Sequence, residues 1–166
     1  YSIVKYFEPY SMDTKKMAKK GHIFTHDRDR NILSTLKVRK IIETGFQPVL
    51  PTITLGQLVE TVSKSQRNIF PVIDKDKNLV GIITLDDIRE IMFRHDQYNK
   101  VTVEQLMQPP AAIIQPDDDM YSVMKKFDET GAWNLPVVEN EMYIGFVSKS
   151  SIFTKYRTQL IKSTSE

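Results

Sequence analysis

Apolar residues along the first half of the chain alternate between helical and strand spacing. Leu55, Leu58, Val59 and Val62 follow the i, i+3, i+4, i+7 spacing of one helix face. The motif Thr54-Leu55-Gly56-Gln57 has the spacing of a capping box, with Thr at the N-cap and Gln at N3. The pattern therefore predicts a helix that begins at Leu55.

The segments around this helix complete a predicted β-α-β-β-α unit. Residues 47–50 are predicted to form a short strand that Pro51 ends. Two β-branched runs, 69–73 and 79–83, flank a polar turn and predict a hairpin. Apolar residues at helical spacing over 85–92 predict a second helix.

An internal repeat extends this pattern to the second half. Phe70-Pro71-Val72-Ile73 recurs as Leu135-Pro136-Val137-Val138, at an offset of 65 residues. After the turn the offset is 64, so the deletion falls in a predicted hairpin turn, where deletions are tolerated. The second copy predicts a strand, a helix, a hairpin and a closing helix at 111–114, 120–127, 134–138 with 142–147, and 148–156.

The repeats predict an α+β fold made of two β-α-β-β-α units. A repeat of about 60 residues buries little surface alone, so we expect the two sheets to pack face to face with pseudo-twofold symmetry. We expect Val72 and Ile83 to face Val137 and Val147. The predicted parts are a connector at 1–31, repeats at 32–96 and 101–160, a linker at 97–100 and a flexible tail at 161–166.

Composition narrows the function classes. The 166 residues carry a formal charge of +2, too weak to indicate nucleic-acid binding, and they include no Cys, which excludes disulfides and thiolate metal sites. No apolar run approaches the roughly 20 residues that a membrane span needs, so the chain is expected to be soluble. Its first residue is Tyr1, which is consistent with a piece of a larger protein.

Each repeat resembles the cystathionine-β-synthase (CBS) domain. The motif is apolar-Pro-Val-apolar, a turn, Gly-apolar-apolar-Thr, any two residues and then Asp-apolar, as found at 70–73 with 81–88. The second copy, at 135–138 with 145–152, has Ser148 and Ser151 at the Thr and Asp positions. A tandem pair is similar to a Bateman module. The resemblance implies a regulatory role without catalytic residues, adenine nucleotides such as AMP, ADP or ATP as ligands in clefts between the repeats, and a homodimer.

The N-terminal flank resembles a second family. Phe7-Glu8-Pro9-Tyr10-Ser11-Met12-Asp13-Thr14-Lys15-Lys16 and the basic stretch to Gly21 are similar to the segment that follows the last membrane helix of prokaryotic CLC chloride channels and transporters. This implies that the partner is the protein's own transmembrane chloride-transport domain, at the cytoplasmic side of the membrane. A cation transporter or a nucleotide-metabolism enzyme remains the alternative host, and a small enzyme is a third hypothesis.

Asp87 and Thr84 are the leading ligand candidates. One carboxylate can accept hydrogen bonds from both hydroxyls of a ribose, and Thr84 ends a strand just before a helix N-terminus. The alternative is that Thr84 only caps the helix and Asp87 only favours its first turn. The resemblance implies that the other repeat completes this first cleft with Ala112, Ile113, Trp133, Asn134 and Pro136.

The opposite cleft departs from the family pattern. Ser151 stands where the first repeat has Asp87, so it supplies no carboxylate and nucleotide binding there is in doubt. The resemblance implies that this second, degenerate cleft would be lined by Gln47, Val49, Arg67, Asn68, Pro71, Ser148 and Ser151.

Several remaining polar and aromatic residues have two readings each. Trp133 could stack on a base or pack at an interface. The segments His22–Asp27 and Asp117–Asp119 could bind a metal, but a solvated connector and helix capping explain them more simply, and no metal site is expected. Lysines at 15, 16, 19 and 20 would form a cationic face on a helix, which could meet anionic lipid headgroups or acidic groups of a membrane domain.

Overall fold

The computed structural model describes residues 27–165, and the elements of its first half follow the predicted order. Thr54 caps the first long helix of the repeat as the capping box predicted: its hydroxyl accepts from the Gln57 amide, and the Gln57 side chain accepts from the Thr54 amide at 2.9 Å. The elements are α1 (Asp27–Thr35), α2 (Leu55–Lys64), β1 (Ile69–Ile73), β2 (Leu79–Thr84), α3 (Leu85–Ile88) and α4 (Val103–Leu106).

The second half repeats the helix–hairpin–helix order. The strand Asn134–Glu139 pairs with Met142–Ser148 in an antiparallel hairpin, as β1 pairs with β2. The elements are α5 (Met120–Thr130), β3 (Asn134–Glu139), β4 (Met142–Ser148) and α6 (Lys149–Ser165). The fold is therefore the expected α+β arrangement of two repeats. Among residues 27–165 no helix has both the length and the apolarity to cross a membrane.

Two predicted strands are reduced to single bridges. Val49 makes one parallel bridge to Val72, and Ile114 makes the equivalent bridge to Val137. Prolines at 48, 51, 109, 110 and 116 surround these positions, and proline donates no backbone hydrogen bond that could lengthen a ladder. Each repeat thus has a two-stranded sheet with one bridging residue beside it.

The second helix of each repeat also differs from its prediction. α3 ends at Ile88 rather than Met92, because the next residues form tight turns in which the Ile91 amide donates to the Ile88 carbonyl. The Tyr98 hydroxyl then donates to the Met92 carbonyl at 2.5 Å. α6 in contrast continues past Tyr156 to Ser165. The flexibility expected for residues 161–166 stays a prediction.

The hydrophobic core of each repeat includes a chain segment that precedes the other repeat in sequence. The core of the second repeat includes Ile32, Leu33 and Leu36 of α1 and its following residues, which pack with α5, β3, β4 and α6. The core of the first repeat includes Val103 of α4, with Val101 packed against it. The predicted linker at 97–100 lies on the first repeat too, since the Gly56 amide donates to the Tyr98 carbonyl. Each repeat is therefore covered partly by chain that precedes the other.

The contact between the two sheets uses residues other than the predicted ones. Phe46, Ile82 and Phe146 form a small buried cluster, with Phe46 and Phe146 ring centroids 4.4 Å apart. The expectation for Val72 and Ile83 against Val137 and Val147 was wrong, because these four side chains point into the cores of their own repeats. Neighbouring strand residues face opposite ways, so the sheet contact falls to positions 82 and 146.

Two equivalent backbone bridges cross between the repeats. Glu43 exchanges two hydrogen bonds with Phe146, at 2.8 and 2.9 Å, and Gln108 exchanges two with Ile82, at 2.7 and 2.8 Å. These bridges require small residues beside them. A Cβ on Gly145 would lie 2.6 Å from the Glu43 carbonyl oxygen, and a Cβ on Gly81 would meet Met107. The repeated pattern of bridges confirms the expected pseudo-twofold arrangement.

Candidate functional site: two clefts between the repeats

The first cleft begins where β2 runs into α3. The Thr84 hydroxyl accepts from the Asp87 amide at 3.2 Å, and Asp87 Oδ2 accepts from the Thr84 amide at 2.8 Å. This reciprocal cap shows that the capping interpretation of both residues is correct. It does not consume the Asp87 carboxylate, which is exposed and faces a cavity. Capping and ligand binding are therefore compatible roles.

The cavity beside Asp87 lies between the two repeats. Its volume is about 240 Å³, and Thr84 and Asp87 form one wall while Asn134 and Pro136 of the second repeat form another. The structure thus brings together four of the seven residues predicted for this cleft. The remaining lining residues are Ile69, Ile82, Gln108, Pro109, Pro110, Ala111, Leu135 and Phe146.

Trp133 lies in a groove that adjoins this cavity. The groove has a volume of about 640 Å³ and shares Thr84 and Asn134 with the cavity. Trp133 is 67% exposed in this chain, so both the stacking and the interface interpretations stay predictions. Lys149 Nζ lies 5.3 Å from the centre of its ring, within cation–π range. One face of an exposed aromatic ring is thus held in place beside the cavity.

Ala112 and Ile113 do not line the cavity, so their assignment to the first cleft stays a prediction. Ala112 packs against the core of the second repeat, and the Ile113 carbonyl accepts from Lys126 Nζ at 2.6 Å. The bridge from Ile114 to Val137 draws this part of the chain into the second repeat. The wall of the cavity is formed instead by the segment just before it, at residues 108–111.

The second cleft contains a carboxylate that the repeat motif did not indicate. Glu43 Oε2 accepts from the hydroxyls of Ser148 and Ser151, each at 2.9 Å. Arg67 Nη1 donates to Glu43 Oε1 at 3.3 Å, and its guanidinium stacks 4.2 Å from the centre of the Phe46 ring. Ser148 also caps α6, because its hydroxyl accepts from the Ser151 amide at 3.1 Å.

The electrostatics of Glu43 favour the charged form. Partial burial acts to raise its pKa, but the hydrogen bonds from Ser151, Ser148 and Arg67, together with the positive charge of Arg67, outweigh it. The pKa of Glu43 therefore lies below its usual value. The carboxylate remains ionised at neutral pH, and the network in the second cleft remains intact there.

The other residues predicted for the second cleft are scattered. Gln47 and Arg67 line an open cavity of about 760 Å³ beside the Glu43 network. Asn68 lines the Trp133 groove, and Arg67 lines that groove as well. Val49 and Pro71 are buried in the first repeat, where the Val49 amide donates to the Pro71 carbonyl at 2.9 Å, and neither lines the open cavity or the Trp133 groove. The bridge that replaces the predicted first strand turns them inward.

Glu43 and Gln108 are the cleft residues that the sequence analysis missed. They are equivalent residues, separated by the same offset of 65 that relates the two repeats. Both precede the short bridging segments and form the cross-repeat bridges. Comparing the polar residues at that offset, as well as the apolar ones, would have found them.

The acidic run at 117–119 acts as a cap and in ion pairs. Asp119 Oδ1 accepts from the Ser122 amide at 2.8 Å at the start of α5. Asp118 pairs with Lys126 at 3.3 Å, and Asp117 pairs with Arg39 at 3.2 Å. Within residues 27–165, no group of three or more His, Asp or Glu side chains is placed to hold a metal ion. His22, His26 and the cationic face at 15–20 lie outside the described residues.

Comparison with known proteins agrees with this architecture. The family model for the CBS domain matches residues 38–94 and 103–157. Inosine-5'-monophosphate dehydrogenase of Pasteurella multocida is 42% identical over 84 residues, which are 47% of this chain and 16% of that enzyme. The chain therefore spans only a small part of that relative's length.

Solved structures show the same fold at lower identity. The CBS domain of a bacterial CNNM/CorC family Mg²⁺ transporter in complex with ATP has a TM-score of 0.65 and 19% identity, covering 75% of this chain and 89% of that one. CBSX2 in complex with AMP has a TM-score of 0.62 and 21% identity, covering 76% and 98%. With the family match over both repeats, these findings show that the chain belongs to the CBS-domain family, as a tandem pair.

Proposed function

We propose that the chain is the regulatory module of a larger host protein, and that it binds one adenine nucleotide in the Asp87 cleft. The observation that carries the proposal is the position of the Asp87 carboxylate, exposed on the wall of a cavity between the two repeats. The complexes of related folds with AMP and with ATP support this ligand class.

The dimensions of the cleft support a divided binding mode. The cavity of about 240 Å³ is below the range of roughly 300–1,000 Å³ that is typical of ligand pockets. A nucleotide would therefore place its ribose at Asp87 and extend into the Trp133 groove. There, the exposed indole ring offers a stacking surface for the base. AMP, ADP and ATP differ in how far they would extend, and all three are to be tested.

Calorimetry on wild type and Asp87→Ala tests this assignment. Loss of the charge-assisted bonds to ribose should cost about 1.5–3 kcal/mol, which corresponds to a roughly ten- to hundredfold weaker affinity. Asp96→Ala is the matched control, because Asp96 is an exposed carboxylate that accepts from Gln97 Nε2 at 3.0 Å and lines neither the cavity nor the Trp133 groove. Equal nucleotide affinity of Asp87→Ala and wild type would contradict the assignment of the binding site to Asp87. If wild type bound none of AMP, ADP and ATP, the proposed ligand class would be wrong.

Two observations bear on which host protein carries this module. The N-terminal motif Phe7–Gly21 supports a CLC chloride channel or transporter, which would place the module at the cytoplasmic side of a membrane beside its own transport domain. That motif lies outside the described residues, and the relatives reported above do not include a CLC protein. The match to inosine-5'-monophosphate dehydrogenase favours the alternative of a nucleotide-metabolism enzyme.

The full-length gene product decides between these hosts. A CLC host predicts chloride flux in proteoliposomes, and nucleotide should change that flux in wild type but not in Asp87→Ala. A full-length protein without chloride transport would contradict the CLC assignment while leaving the module's ligand untouched. The homodimer implied by the family is a separate proposal, and sedimentation of the full-length protein at increasing concentration tests it.

A further inference from the structure

The second cleft holds a negative charge supplied by the chain itself. Glu43 lies more than a hundred residues before the two serines that donate to it, and Arg67 approaches its other oxygen. Three donors from both repeats thus converge on one carboxylate. The Glu43 side chain is 27% exposed, so these bonds form at a partly desolvated position rather than in open water.

The first cleft carries its negative charge on Asp87, on the wall opposite to the one that holds Glu43 in the second cleft. Gln108 is the equivalent of Glu43, and it lines the first cavity together with Asp87. Ser151 is the equivalent of Asp87. The two clefts have therefore exchanged the position of their carboxylate. In the first cleft the carboxylate is Asp87, which lies at the start of α3 and faces a cavity. In the second cleft the carboxylate is Glu43, which lies on the cross-repeat bridge and accepts from the serines at the start of α6.

We infer that Glu43 is the specificity-determining residue of the second cleft: it occupies the cleft's anion-binding donors and excludes phosphate-bearing ligands. A phosphate group entering this cleft would need the Ser148 and Ser151 hydroxyls and the Arg67 guanidinium, all of which Glu43 engages. It would also lie beside a carboxylate, and like charges repel strongly at partly desolvated positions. The role of Glu43 does not depend on the proposed function, but its consequence, that each chain binds one nucleotide, does.

The donors that surround Glu43 are suited to a phosphate monoester. Hydroxyl groups and guanidinium form charge-assisted bonds to phosphate oxygens. Arg67 is held by its stacking on Phe46, which does not depend on Glu43. The adjoining cavity of about 760 Å³, lined by Lys64 and Arg67, provides space for the rest of such a ligand. Removing the Glu43 side chain should therefore expose a working anion site.

Titration of wild type and Glu43→Ala with AMP and with inorganic phosphate tests the inference. The readout is the backbone amide NMR signals of Ser148 and Ser151, with calorimetry for stoichiometry. We expect saturable shifts at both amides in Glu43→Ala, with an affinity at least tenfold tighter than in wild type at these positions. Unchanged amides in Glu43→Ala, or equal affinity in wild type, would overturn it.

A second variant separates charge from size and guards against misfolding. Glu43→Gln keeps the length of the side chain and an acceptor oxygen but removes the charge. It should bind either probe more tightly than wild type and less tightly than Glu43→Ala. If Glu43→Ala fails to fold, as judged by its urea unfolding curve, Glu43→Gln alone must still show the tighter binding. Equal weak binding by Glu43→Gln and wild type would then overturn the inference.

The Asp87→Ala background distinguishes this inference from the proposed function. The double variant Glu43→Ala/Asp87→Ala should retain binding at Ser148 and Ser151 while the first cleft is disabled. If wild type binds no AMP but Glu43→Ala does, the proposed function fails and the inference stands. If wild type and Glu43→Ala both bind one AMP, only at the Asp87 cleft, the inference fails and the proposed function stands.

Discussion

Substituting alanine at the two cross-repeat glycines should affect stability unequally, although the positions are equivalent. At Gly145 an added Cβ would lie 2.5 Å from Ile42 Cγ2 and 2.6 Å from the Glu43 carbonyl oxygen. At Gly81 the closest atom would be Met107 Sδ at 2.7 Å. A methionine side chain can rotate away, whereas a backbone carbonyl in a paired bridge cannot. We therefore expect the larger loss at Gly145.

The magnitude follows from the contacts that must move and from the backbone of Gly145, whose φ of +159° an alanine rarely adopts. Overpacking costs about 1–3 kcal/mol, and the two hydrogen bonds between Glu43 and Phe146 contribute about 0.5–1.5 kcal/mol each. If the bridge is partly disrupted, Gly145→Ala should lower the free energy of unfolding by about 2–4 kcal/mol. Gly81→Ala should lower it by about 1 kcal/mol, since only the Met107 side chain must move. The effect of alanine on the unfolded chain is common to both and cancels.

Urea unfolding of wild type and both variants measures this difference. Thermal midpoints should fall by roughly 2–4 °C per kcal/mol for a chain of this size. A Gly145→Ala variant as stable as wild type would refute the reasoning. So would a larger loss at Gly81, because it would mean that the two bridges are not ranked by the rigidity of the atoms they contact.

Two further predictions concern the exchanged segments and the second cleft. Cutting the chain after Asn99 should leave halves that are unfolded or aggregated by circular dichroism, since each core lacks a segment from the other half; a half that unfolds cooperatively as a stable monomer would contradict this. The stability advantage of wild type over Glu43→Gln should be complete above the unfolded-state glutamate pKa of roughly 4.3 and vanish as pH falls through the lower folded-state pKa. Urea unfolding from neutral pH to about pH 3 measures it, and a difference that persists in acid would count against the Glu43 network.

Local patterns in the sequence were sufficient for the hairpins and helix starts. The capping box at Thr54 and the strands around Phe70 and Leu135 formed as predicted, because alternation and capping depend on nearby residues. The α3 end and the single bridges were not predicted, since helical spacing continues beyond Ile88 while the backbone turns. Apolar spacing identifies a buried side chain but not the repeat that covers it, so the exchange of segments was also missed.

The clefts were only partly predictable for a related reason. Thr84, Asp87, Asn134 and Pro136 lie in the sequence motifs that predicted the first cleft, and the structure brings them together. Glu43 gains its role from serines more than a hundred residues away, which no local pattern connects to it.

The exchange of N-terminal segments also determines how force would pass through the module. α1 contacts α5 and α6 of the second repeat. Any group attached before Asp27 would therefore be anchored mechanically to the second repeat, although the first repeat is the one that follows α1 in sequence. A pull on that end would be resisted by the second core and by the Glu43 bridge to Phe146. The first repeat, with the Asp87 cleft on its edge, would bear little of that tension. The second repeat would therefore bear the load before the first repeat, although the first repeat comes earlier in the sequence.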